Sequence, residues 1–139
     1  MNFKECKEKG FIENVKGDKK IAHAVYKLAS KKLLVQSFIP MDKDHVEVRF
    51  TLFFDSLTQF LDSLALEKGY RILTVDAYFV FMKDVLKENI LSKRFAKLVE
   101  AYKLMKYEGK LLTKEEFEDH VANLMELLSF IGEKYFQSQ

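Results

Sequence analysis

Long apolar runs, paired cysteines and glycine-rich loops are all missing from this chain, and each absence removes a class of protein. No stretch approaches the roughly 18 consecutive apolar residues of a membrane-spanning helix, and the mean hydropathy is -0.16. The one cysteine, Cys6, has no internal partner for a disulfide, which suits a reducing compartment. The opening MNFKECKEKGF is charged throughout and lacks the apolar segment of a signal peptide, so the expected location is the cytoplasm. There is no Gly-rich phosphate loop, no Ser or Cys nucleophile signature and no Cys/His cluster. Sustained apolar/polar alternation is also lacking, so no strand is expected. Repeats, linkers and low-complexity tracts are absent, and 139 residues fit one domain, residues 1–139.

What the chain does have is hydrophobic residues at helical spacing. The stretch Asp44 to Gly69 places Val46, Phe50, Phe53, Leu57, Phe60 and Leu64 at steps of 4, 3, 4, 3, 4. That rhythm keeps one stripe facing one way over successive turns, and Phe54 and Leu61 widen it to a core-facing band. Asp44 is the expected N-cap, and Gly69 suits the left-handed position after the last turn. An earlier helix is expected from the cap Asp18 to Pro40, which cannot continue it. Its stripe is Ile21, Val25, Leu28, Val35 and Ile39, with Lys32 interrupting once; the Lys stem can cover apolar surface while its ammonium reaches water. The short turn between these helices makes them antiparallel neighbours.

Tyr70 to Leu73 then crosses to a third helix, Thr74 to Asn89, with Val75, Tyr78, Phe79, Met82, Val85 and Leu86 inward. A fourth runs from Ser92 to Glu108, with Phe95, Leu98, Tyr102 and Met105 inward and Gly109 as its stop. Thr113 and Glu116 form a capping box that opens a fifth helix through Phe136, with Phe117, Val121, Leu124, Leu128, Ile131 and Tyr135 inward. The repeated spacing would also fit a coiled coil, but capped helices joined by short loops favour a compact four- to five-helix up-and-down bundle, an all-α fold.

Several apolar residues fall outside these stripes: Val48, Leu52 and Leu66, Val80 and Phe81, Leu127 and Phe130. They suggest either complete enclosure or a homodimer, and the homodimer is the preferred reading. Net charge is +2, too small to imply a nucleic-acid partner, but it is unevenly spread. Lys93 to Lys114 holds seven basic residues against two acids, and Glu115 to Glu133 holds six acids and no Lys or Arg. Two oppositely charged helices lying side by side account for this; a basic patch for RNA is the alternative. His23 reads as a surface residue and His45 as part of a first helical turn. Glu116 and His120, at i, i+4, have the spacing of metal ligands. The capping box already accounts for Glu116, so no metal site and no cofactor are expected.

The order of segments carries a resemblance. A GFI start precedes a Lys-rich helix, then FFDSLTQFLDSLALEKGYRI, then TVDAYFVFMKDVL, then AYKLMKYEGK and an acidic helix opening TKEEFEDH. From about Gly10 to Phe136 the chain resembles the short stand-alone HEPN proteins of archaea and bacteria. The resemblance implies a helical bundle, usually a homodimer. Many members are ribonucleases or toxins paired with a small nucleotidyltransferase antitoxin, and others only bind partners or ligands. Active members carry an Arg, often followed by Asn, and then a His in the penultimate long helix; two such helices meet to form a joint RNA-cutting site.

Aligned on the Tyr-x-Gly of KYEGK, those three positions fall on Tyr102, Lys103 and Tyr107, and none matches. The His that often begins the third helix falls at Val75. Histidine exchanges protons near neutrality, whereas tyrosine, with a pKa near ~10, does so poorly. The resemblance therefore implies a HEPN-like protein that is catalytically inactive, with no catalytic residue. It would act by dimerisation and by binding a minimal nucleotidyltransferase of a toxin–antitoxin pair, or a nucleotide. Tyr102, Lys103 and Tyr107 are the candidate ligand- or partner-binding positions. Tyr102 lies on the inward stripe, and Lys103 and Tyr107 share an outward one. The alternatives are a metal-independent endoribonuclease with an unconventional site around Lys103, Lys106 and Tyr107, or a plain helical adaptor.

Overall fold

Eight side chains of one helix make the centre of the molecule. The computed structural model describes residues 1–136. Among them, helix α3 (Val46–Glu67) buries Val46, Phe50, Phe53, Phe54, Leu57, Phe60, Leu61 and Leu64. These are the residues whose spacing marks the stripe, and every one of them is in the core. Around α3 lie α2 (Lys19–Gln36), α5 (Asn89–Glu108) and α6 (Lys114–Tyr135). A short α1 (Phe3–Glu8) and α4 (Val75–Val80) complete an all-α bundle. No described helix is long and apolar enough to cross a membrane.

The caps explain most boundaries. Asp18 accepts hydrogen bonds from the backbone N–H groups of Lys20 and Ile21 at 2.9 and 3.2 Å, opening α2. Thr113 and Glu116 form the reciprocal capping box of α6, each bond 3.1 Å. Gly109 ends α5 at φ +64°, a conformation that costs an L side chain but not glycine. Asp44, by contrast, does not cap α3. His45 holds that position without a side-chain bond, and Asp42 instead accepts from the Asp44 N–H and pairs with His45 Nδ1 at 2.6 Å.

The expectation of no strands is corrected by a small antiparallel pair, β1 (Ile12–Asn14) with β2 (Tyr70–Ile72), in register Ile12↔Ile72. Three residues are too few to display an alternation, so the pattern left no trace in the sequence. The N-terminal segment thereby returns to the end of α3, and the α1 N–H of Phe3 donates to Asp84 at 2.8 Å. The third helix is also shorter than expected. It loosens after Val80 into a π-helical turn, Phe81–Val85, with the Leu86 N–H bonded to the Phe81 carbonyl at 3.0 Å. Val80 and Phe81, expected outside the stripe, are buried there, with α1 packed against this segment. Leu127 is likewise buried, while Phe130 stays exposed.

The largest correction concerns α2. Its core face is Ala22, Tyr26, Ala29, Leu33 and Gln36, whereas Ile21, Leu28 and Val35 of the expected stripe face solvent. The reason is the α2–α3 contact, an antiparallel seam in steps of seven. Ser63 Oγ donates to the Ala22 carbonyl at 2.6 Å and Ser56 Oγ to the Ala29 carbonyl at 2.8 Å. Arg49 donates to Gln36 Oε1 at 2.8 and 3.2 Å. Serine facing alanine lets the two backbones approach closely enough for these bonds, which a leucine in the seam would prevent. The charged helices do lie side by side: Arg94 of α5 bonds Asn123 at 2.9 Å and ion-pairs with Glu126 of α6.

Candidate functional site

The residues aligned with the family motif line one cleft. It holds about 580 Å³, walled by Phe54, Asp55 and Thr58 of α3, residues 72–76 and Tyr78, and Tyr102, Lys103, Lys106 and Tyr107 of α5. The i, i+3 and i, i+4 spacings along α5 put these four within one half of the helix surface, and Gly109 stops it just beyond them.

Each side chain has a distinct setting. The Tyr102 ring stacks on Phe54, with centroids 4.4 Å apart and planes 13° apart, and Phe54 in turn stacks on Phe95. Tyr102 is thus anchored to the core as well as lining the cleft. Lys103 Nζ is held by both oxygens of Asp76 at 2.8 and 2.7 Å, tying α5 to the first turn of α4. Lys106 Nζ lies 5.5 Å from the Tyr102 ring centroid and 5.4 Å from that of Tyr107. The Tyr102 phenol beside it raises its pKa, so it stays charged. Tyr107 is 68% exposed, its ring available at the mouth.

Below the rim sits a group that reasoning from the sequence missed. Tyr78 donates its hydroxyl proton to Asp62 Oδ1 at 2.7 Å. Burial lifts the Asp62 carboxyl to about 6, against the opposing pull of that hydrogen bond and of Lys32. Burial also pushes Asp55 and Tyr78 upward. Asp62 lines not the cleft but a neighbouring depression of about 210 Å³, shared with Val25, Gln59, Leu66 and Arg71, whose common wall is Ile72 and Leu73. The signal in the sequence was faint: Asp55 and Asp62 sit seven apart on a flank of α3 that otherwise offers Val48, Leu52 and Leu66. Thr74 Oγ1, in the cleft wall, and Gln59 Oε1 are buried without a protein partner.

On its other side the cleft continues past Tyr102 and Lys106 into a shallow groove of about 540 Å³ over Val48, Thr51, Leu52 and Met105. A separate apolar hollow of about 450 Å³ lies under α1, lined by Cys6, Phe11, Phe79 and Val99 among others. Burial raises the Cys6 thiol pKa there, which leaves it protonated and unreactive.

The histidines are elsewhere. His23 is exposed on α2 and its ring stacks with Tyr26, 6.0 Å between centroids. His120 meets the Phe50 ring edge to face at 5.7 Å, and Glu116 is engaged by its cap. Among the described residues no group of three or more His, Cys, Asp or Glu is arranged to hold a metal ion.

Chemically, the cleft offers two ammonium groups, phenol hydroxyls and aromatic faces. Lys103 is already paired with Asp76, and Lys106, beside the two phenol rings, lies within electrostatic reach of Asp55 in the same cleft. Such a set can hold an anionic group beside a flat ring. Burial holds the Tyr78 phenol above its ordinary range, which makes it a poor proton carrier at neutral pH. Comparison with protein-family models, characterised proteins and solved structures finds no match to this chain.

Proposed function

We propose that this chain is a HEPN-like binding protein of the cytoplasm that does not cut RNA and that holds a nucleotide in the cleft between α3, α4 and α5. One observation carries the reading. Where the resemblance puts the cutting pair, the wall presents Tyr102, Lys103 and Tyr107 with Lys106 between the two phenols. Lys106 is placed for a phosphate and the exposed Tyr107 ring for a base, and no histidine stands among them to exchange protons. The homodimer and a minimal nucleotidyltransferase partner of a toxin–antitoxin pair follow from the resemblance and belong to the same proposal.

Calorimetric titration with AMP and ATP tests it. Saturable binding is expected, weakened roughly ten- to a hundredfold by Lys106→Ala, the cost of one charged hydrogen bond of about 1.5–3 kcal/mol. No heat at millimolar nucleotide would remove the nucleotide from the reading.

The enzyme alternative has one feature in its favour, the Asp62 carboxyl with a pKa near neutrality beside Tyr78. Labelled RNA incubated with the purified protein is expected to stay intact. Cleavage that disappears in Asp62→Asn, or in Lys103→Ala combined with Tyr107→Phe, would establish a ribonuclease instead.

A further inference from the structure

Helix α2 sets Ala22 and Ala29 against α3 and leaves a row of larger aliphatic residues on its outer flank. Ile21, Leu28 and Val35 are 53, 45 and 50% exposed. With the half-buried Val25, Lys32 and Ile39 they form one stripe in steps of 4, 3, 4, 3, 4, the spacing by which helices pair side to side. Ile39 extends the stripe through i→i+3 bonded turns, its N–H reaching the Gln36 carbonyl at 3.2 Å. Among the described residues α2 packs chiefly on α3, so its own chain leaves this stripe uncovered.

The order of residues along the stripe points to the occupant. Read forwards it is Ile, Val, Leu, Lys, Val, Ile; read backwards it is Ile, Val, Lys, Leu, Val, Ile. About a twofold axis an antiparallel pairing puts residue i against j and j against i, and this order then sets apolar residues of like size against each other at both ends of the stripe. It spans roughly 27 Å at ~1.5 Å per residue. Its exposed apolar surface is on the order of 300 Å², at the lower end of the largest patches that monomers carry. The one charge in the seam is provided for. Lys32 lies within electrostatic reach of Asp55 and Asp62 on its own α3, and a lone lysine in such a seam fixes register at some cost in stability.

We propose that α2 is a dimer seam, its outer stripe packed antiparallel on that of a second copy, with Ile21 against Ile39, Val25 against Val35 and Leu28 against Lys32. The proposal rests on the homodimer in the reading above, to which it assigns a surface, and is independent of the nucleotide.

The test is solution mass by light scattering at about 50 µM, a concentration at which mass action populates a micromolar contact. The wild-type chain is expected at twice its 16.4 kDa. Leu28→Lys would gather four lysines about the axis and lower association at least tenfold. Leu28→Glu would face the partner copy's lysine, and should keep the dimer at low salt and weaken it in ~0.5 M salt. Ile90→Lys, at a site 77% exposed on α5, should leave the mass unchanged. Circular dichroism confirms that each variant folds, Leu28 being outside the core. A monomeric wild type would overturn both the seam and the homodimer. A dimer indifferent to both Leu28 variants would overturn the seam and leave the homodimer standing. A dimer broken equally by both at low salt would overturn the antiparallel register.

Discussion

Asp62 is a carboxyl whose chemistry departs from its type within the ordinary pH range. Its carboxyl, ordinarily near ~3.9, stands at about 6 because burial penalises the ion more than Tyr78 and Lys32 favour it. Between pH 4 and 6 the folded protein therefore binds more protons than the unfolded chain, and stability falls as pH rises through that window. Asp62→Asn keeps an oxygen for the Tyr78 hydroxyl and removes the charge. It should raise stability at pH 7 by on the order of 1–2 kcal/mol, and the gain should vanish near pH 4. Thermal melts of both proteins from pH 4 to 7.5 check this; a gain independent of pH would refute the assignment. The motif-equivalent residues were legible one by one, Tyr102 as inward and Tyr107 as outward. That they share a cleft with Tyr78 and Asp76, from a different helix, was not, because no spacing along α5 encodes what lies opposite it.

At the scale of elements, α2 and α3 show why the same rhythm succeeds once and fails once. In α3 the large side chains mark the inner face because three neighbouring helices surround it. In α2 the inner face is a serine–alanine seam in steps of seven, and hydrophobic periodicity weights size, so it selects the opposite side. Ala29→Leu should then cost about 1–3 kcal/mol or more by overpacking a site with no exposed surface. Leu28→Ala, one position away, should cost well under about 1 kcal/mol in a chain held monomeric by dilution. Urea denaturation of the pair decides it, and a reversed order of costs would mean that α2 is rotated. The end signals were easier to read. Asp18, Thr113 with Glu116, and Gly109 act within a few residues of their own position, so local sequence specifies them. The π-helical turn after Val80 packs on α1 and the three-residue strands pair segments far apart in sequence, and neither left a local mark.

At the scale of the whole molecule, α3 contacts α2, α5, α6 and β2, so no large part can leave without exposing its aromatic face. Unfolding is expected to be a single transition, with helical dichroism and tyrosine fluorescence coinciding in urea. Two separated transitions would show that the α2–α3 hairpin and the remainder are independent units. From composition and periodicity alone came the helical class, the central helix with eight of its core residues, and the caps that open α2 and α6. These follow from the cost of leaving apolar surface and helix-end backbone groups in water, which acts on each segment separately. Only the tertiary structure decided which side of α2 is buried, that Asp62 sits in a hydrogen-bonded recess with a pKa near neutrality, and that Lys106 stands between two phenols of one cleft. Those properties arise where segments distant in sequence come within a few ångströms. There, close backbone approach and desolvation outweigh what any single helix prefers.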